Sequence, residues 1–118
     1  MRYEQNDIDN VTVVSIYGNI AEDATRRRLV DHVWGLLEDG RDRIVLDVTA
    51  VGHVDSRGLG ELIECYRAAQ SRGGTIKLLG VNGRLSDLLV ISKLVNVFDC
   101  FDTRETAIAS FAPLAVAC

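Results

Sequence analysis

Chemistry-bearing residues crowd into one short stretch of this sequence, HVDSRGLGEL at residues 53–62. An acid (Asp55), a hydroxyl (Ser56) and a base (Arg57) stand in a row, with His53 upstream and Gly58 and Gly60 just after. Nucleophilic catalysis is the first chemistry to weigh. A nucleophile elbow needs G-x-S-x-G, and here Val54 occupies the first glycine position. A serine nucleophile also needs a base, for which the chain has only His32 and His53. His53 is near in sequence, but after a strand it could as easily face solvent. Phosphate cradling needs GxxxxGK[ST], which is absent, and GLG alone is not a dinucleotide fingerprint. The third chemistry is covalent switching. A serine at an exposed helix start is open to a kinase, and phosphate adds about −1.5 to −2 charges there. Free N–H groups and the positive dipole end would carry that charge. A purely structural reading stays open beside it: Asp55 or Ser56 caps a helix, while Gly58 and Gly60 let its first turn pack closely against neighbouring backbone.

The rest of the composition narrows the classes. The chain has 118 residues, 47% hydrophobic, with a single proline, which suits one packed domain. Its net charge of −4 argues against nucleic acid, which calls for a basic face. The three cysteines, Cys65, Cys100 and Cys118, are widely spaced and form neither a disulfide framework nor a zinc pattern. Cys65 and Cys100 lie in apolar segments and read as core thiols, which fits a reducing cytoplasm. No apolar run reaches the length of a membrane span. The polar start MRYEQNDIDN does not read as a signal peptide. No metal set or cofactor site is expected.

The elements that must position residues 53–62 follow from periodicity. RYEQNDI and VTVVSIYG flank Asp9-Asn10, so residues 2–8 and 11–17 read as a hairpin that Gly18 ends. Leu29, Val30, Val33, Trp34 and Leu37 recur at helical spacing over residues 23–39, with Asp23 as a start cap and Gly40 as the close. Arg26, Arg27 and Arg28 in its early turns read as a solvated basic edge, with part of a binding surface as the sharper alternative. RIVLDV, residues 43–48, is a near-continuous apolar run that fits a central strand covered on both faces. Leu59, Leu62, Ile63, Tyr66 and Ala69 mark the helix that opens within the stretch of interest and stops at Gly73-Gly74. TIKLLG (75–80) is a strand, residues 83–94 a helix on Leu85, Leu88 and Leu89, and VFDCF (97–101) a short strand. Asp102 with Glu105 suggests a capping box for a last helix through Phe111. The order is ββαβαβαβα. This is an α/β domain with a mixed, mostly parallel sheet of about five strands and about four helices. The domain is expected to span residues 1–112, followed by a tail at 113–118. The 53–62 stretch then lies at the carboxyl end of a strand, where sites of open α/β sheets gather.

RIVLDVTAVGHVDSRGLGEL resembles the strand, loop and helix start of the STAS domain, and in particular that of the bacterial anti-sigma-factor antagonists. The family hallmark D-S-x-G-L-G is matched by Asp55, Ser56, Gly58, Leu59 and Gly60. Weaker likenesses run from about residue 5 to residue 111: Gly18 after the second strand, RGGTIKLLGVN, and LLVISKLVNVFDCFDTRETAI. The resemblance implies a STAS-like fold and a protein that is no enzyme and takes no cofactor. It implies a partner, an anti-sigma factor that is also a serine/threonine kinase of the histidine-kinase-like ATPase fold. The unphosphorylated antagonist sequesters that kinase and frees a sigma factor. Phosphorylation of Ser56 breaks the complex, and a PP2C-type phosphatase resets it. The implied partner surface comprises Asp55, Ser56, Arg57, Gly58, Leu59 and Gly60, joined by Asn19, Glu22 and Asp23 from the loop after the second strand. That loop departs from the family pattern G-x-[LIV]-D: Ala21 stands where the acid is expected, with Glu22 or Asp23 as substitutes. Other STAS proteins are subunits of stressosome scaffolds or lipid-transport systems, which is the alternative reading.

Overall fold

Asp9 and Asn10 both take positive φ, 52° and 65°, the combination of a turn whose twist suits a two-strand ribbon. It joins β1 (Arg2–Ile8) to β2 (Val11–Ile20), paired antiparallel from Arg2 opposite Tyr17 to Ile8 opposite Val11. The computed structural model describes residues 2–20, 29–54, 56–91, 93 and 97–111. Along them follow α1 (Leu29–Glu38), β3 (Arg43–Asp47), β4 (Val51–Val54), α2 (Ser56–Ser71), β5 (Thr75–Leu79), α3 (Gly83–Ile91), β6 (Cys100–Phe101) and α4 (Arg104–Ala109). The main sheet runs β1-β2-β3-β5-β6, with β4 paired to β2 off that path. Every pair except the first hairpin is parallel.

Strand alternation divides the core. Val14, Ile16, Ile44, Leu46, Ile76 and Leu78 face the side covered by α1, α2 and α3, where they meet Val33, Leu37, Leu62, Cys65, Leu85 and Leu89. Val11, Val13, Val45 and Leu79 face the other side and pack with Ala107 of α4. β3 is therefore covered on both faces, as its apolar run anticipates.

Lys77 stands on that second face, 9% exposed. Its Nζ donates to Ser110 O at 3.2 Å and Ser110 Oγ at 2.7 Å, 4.3 Å from the centroid of the Phe111 ring. Ser110 is the C-cap of α4, so a cation sits where the helix dipole is negative. Lys77→Met is expected to lower stability by about 1–3 kcal/mol, the cost of stranding the partner of a charged hydrogen bond. A denaturant midpoint that does not move would show that water serves Ser110 equally well.

Several sequence expectations shift. Gly18 does not end β2, which continues to Ile20 because β4 offers it a further partner. β4 itself makes a sixth strand. It is only four residues long, too short for periodicity to announce. β6 is limited to Cys100–Phe101, since Val97 and Phe98 lie in a turn. Cys65 is a core thiol, but Cys100 is exposed. On a two-residue strand paired to β5 alone, alternation turns Cys100 away from the side where Phe101 packs. The cap of α4 is Thr103, not Asp102: the Thr103 side chain accepts from Thr106 N at 3.2 Å, which leaves no capping box between Asp102 and Glu105. The α4 helix closes at Ala109, short of Phe111. Gly40 closes α1 as expected, with φ 82° and Arg41 N donating to Leu36 O at 2.9 Å, a left-handed C-terminal cap. Asp23 and the arginines 26–28 lie outside the described residues, as does the end of the 83–94 helix beyond Ile91 apart from residue 93.

Candidate functional site

β2 and β4 run parallel, so their carboxyl ends reach the same edge of the sheet. Gly18 pairs with Val51, the register then shifts, and Asn19 pairs with His53 and Ile20 with Val54. Gly18 has φ 99°, a conformation that glycine tolerates and that suits an irregular step in a ladder. The structure thus brings the backbone of Asn19 beside the strand that leads into α2, although 34 sequence positions separate Asn19 from His53.

α2 begins at Ser56, with Arg57 as its second residue. The first four N–H groups of a helix have no partner within it. α2 starts two positions after β4 ends. Gly58 is buried, and Leu59, 7% exposed, enters the core beneath. Asp55, Glu22 and Asp23 lie outside the described residues, as does Ala21. Of the two histidines, His32 on α1 stacks on Tyr3 of β1, ring centroids 5.0 Å apart and 21° between planes, which commits it to the β1–α1 contact. Among the described residues no group of three or more His, Cys, Asp or Glu could hold a metal ion. No helix there is long and apolar enough to cross a membrane.

Gly60 does not have the packing role that the sequence suggests for it. A Cβ built on it meets nothing within 4 Å, so the helix start does not press on other backbone there. Close approach occurs instead at Gly74, where a Cβ would lie 2.9 Å from Asp42 O, and at Gly80 against Thr49. Gly60 lies one turn after Ser56, at the spacing that puts two residues on one helix face. Gly60→Ala is expected to stabilise the domain by about 0.5–1 kcal/mol through helix propensity, or roughly 2–4 °C in melting temperature. A lower melting temperature would mean that the site is not open.

Glu61 is the residue that sequence reading missed. It is 7% exposed, and its Oε1 accepts from Val30 N in the first turn of α1 at 3.3 Å. A signal existed: Glu61, Cys65 and Ala68 follow i, i+4, i+7 spacing, which is the spacing of a buried face.

Comparison with known proteins agrees with this architecture. The family model described as the STAS domain matches residues 3–107. A protein of Bordetella bronchiseptica that bears the provisional name anti-sigma factor antagonist BtrV is 22% identical over 111 residues, covering 94% of this chain and 95% of its own. Among solved structures, an anti-sigma factor antagonist from Mycobacterium paratuberculosis has a TM-score of 0.78 at 21% identity, over 92% of each chain. The Bacillus cell fate determinant SpoIIAA in its phosphorylated form has a TM-score of 0.73 at 17% identity, over 94% of this chain and 100% of that one.

Proposed function

Because the chain belongs to the STAS domain family, we propose that it is an anti-sigma-factor antagonist that works by partner switching. The unphosphorylated protein binds and sequesters an anti-sigma factor of the histidine-kinase-like ATPase fold and so frees a sigma factor. That partner is also a serine kinase. It transfers the γ-phosphoryl group of ATP to Ser56 Oγ: the bond to ADP breaks, an O–P bond forms, and the hydroxyl proton leaves. The charged product releases the partner, and a PP2C-type phosphatase restores the hydroxyl. The chain catalyses no step itself.

The observation that carries this reading is the place of Ser56. It is the first residue of α2, at the edge where the parallel pair β2–β4 ends. There a helix start favours an added phosphate without unfolding. Asn19 shares that edge, so the proposed partner face comprises Ser56, Arg57 and Gly60 with Asn19, while Gly58 and Leu59 of the same motif lie buried beneath it. Asp55, Glu22 and Asp23 complete it by their neighbourhood in sequence.

The test is reconstitution with the anti-sigma kinase of the same host. A stoichiometric complex should form, dissolve with ATP, and leave phosphate on Ser56 by peptide mapping. Assembly of the protein alone into large particles would favour a scaffold subunit instead. Turnover of an ester or phosphoester by the pure protein, abolished by Ser56→Ala, would sink the binding-module reading.

A further inference from the structure

Glu61 places a carboxylate where the pattern of α2 asks for an apolar residue. It heads the buried series that continues with Cys65 and Ala68, and it is as buried as Leu59, both 7% exposed. Burying a charge is costly unless it is paired, and well-packed apolar residues often replace buried charges with no loss of stability. A residue that breaks the core pattern at such a cost marks a place where something besides packing is at stake. What the carboxylate does here is visible. From the second turn of α2 it accepts the N–H of Val30 at 3.3 Å. Val30 is the second residue of α1, so the contact ties the described beginning of α1 to α2. A leucine could fill the space but could not hold that donor.

Glu61 lies in the second turn of the helix that Ser56 begins. Val30 also borders the open groove between α1 and α2, together with Asp31, Trp34, Glu64 and Arg67. The tie therefore sets how far apart the two helices lie along a surface that includes charged and aromatic side chains. We infer that Glu61 is a positioning residue of the partner face: its carboxylate holds the start of α1 against α2, so that a partner meets two helix starts at one fixed spacing. The inference rests on the proposed antagonist function for its partner, and on the Glu61–Val30 contact for its geometry.

The experiment uses the full chain with Glu61→Leu, Glu61→Met and Glu61→Gln, read by thermal unfolding, amide exchange at Val30 and titration with the purified anti-sigma kinase. The Leu and Met variants are expected to unfold cooperatively at or above the wild-type temperature. Their Val30 amide should exchange about tenfold faster or more, as local opening becomes easier. Their affinity for the kinase should fall roughly tenfold. Glu61→Gln keeps an acceptor of the same shape and should restore both to within about threefold. Unchanged kinase affinity in folded Leu or Met variants overturns the inference, and so does unchanged exchange at Val30. Unfolding of both apolar variants overturns it as well, because the fold itself would then depend on the carboxylate. Should the wild-type protein bind no kinase, the antagonist reading fails and the partner face with it, while exchange at Val30 separately reports whether the tie exists.

Discussion

Phosphorylation of Ser56 is expected to weaken kinase binding by about a hundredfold or more, while the domain stays folded. Two terms compete. Within the domain, a phosphate at the start of α2 meets the positive end of a helix of 16 residues, which favours it by roughly 0.3–1 kcal/mol. At the interface, the same group puts charge and bulk where a neutral hydroxyl had been covered. An unpaired charge in a contact costs several kcal/mol, and each 1.4 kcal/mol or so is tenfold in affinity. The interface term wins by a wide margin. Ser56→Ala should bind the kinase permanently and resist modification. Ser56→Asp should bind poorly, but better than phosphoserine, since one charge on a shorter arm imitates phosphate imperfectly. Titration of all four forms, with circular dichroism to follow the fold, decides the matter. Equal affinities, or phosphate on another residue with Ser56 untouched, would defeat the switch.

The largest stability loss is expected at Gly80. It follows β5 with φ 78°, and its N–H donates to Phe101 O at 2.9 Å, so the strained backbone cannot relax without breaking the β5–β6 junction. A Cβ there would collide with Thr49 Oγ1 and come within 2.9 Å of Thr49 Cβ and 3.0 Å of Thr49 Cα. Thr49 cannot swing away cheaply, because Oγ1 donates to Asp47 Oδ1 at 2.6 Å and the Thr49 N–H donates to the same oxygen at 3.0 Å. Left-handed backbone on a residue with a Cβ costs about 1–2 kcal/mol, and overpacking adds about 1–3 kcal/mol. Gly80→Ala should therefore remove about 2–5 kcal/mol of a total that is typically about 5–15 kcal/mol. Gly80→Val should exceed that loss. Chemical denaturation of both, beside Gly60→Ala as the benign control, checks the contrast. A Gly80→Ala protein as stable as wild type would show that the loop at Thr49 yields freely.

Much of this molecule was legible in one dimension, and for a physical reason. The hairpin at Asp9-Asn10, β3, α2 and β5 are specified by local conformational preference and by the periodicity of their apolar faces, which act over a few residues. The helix start at Ser56 was legible too, since the sequence DSRGLG before an apolar helical stripe announces it. Other features depend on what another part of the chain brings alongside. β4 exists because the end of β2 is there to pair with it, and Asn19 reaches the site through the register shift that follows Gly18. Cys100 reads as apolar but lies on a short edge strand with one neighbour. Gly60 suggested close packing, yet its position is open and a tight contact falls at Gly80, because only folding brings Thr49 against it. Glu61 looks like an ordinary helix-surface glutamate until α1 is laid beside α2 and Val30 N–H points at it. The sequence by itself determined the first hairpin turn and the apolar faces of β3, α2 and β5. Tertiary structure decided which glycine has no room for a methyl group and which carboxylate is buried, because both depend on contacts between segments far apart in the chain.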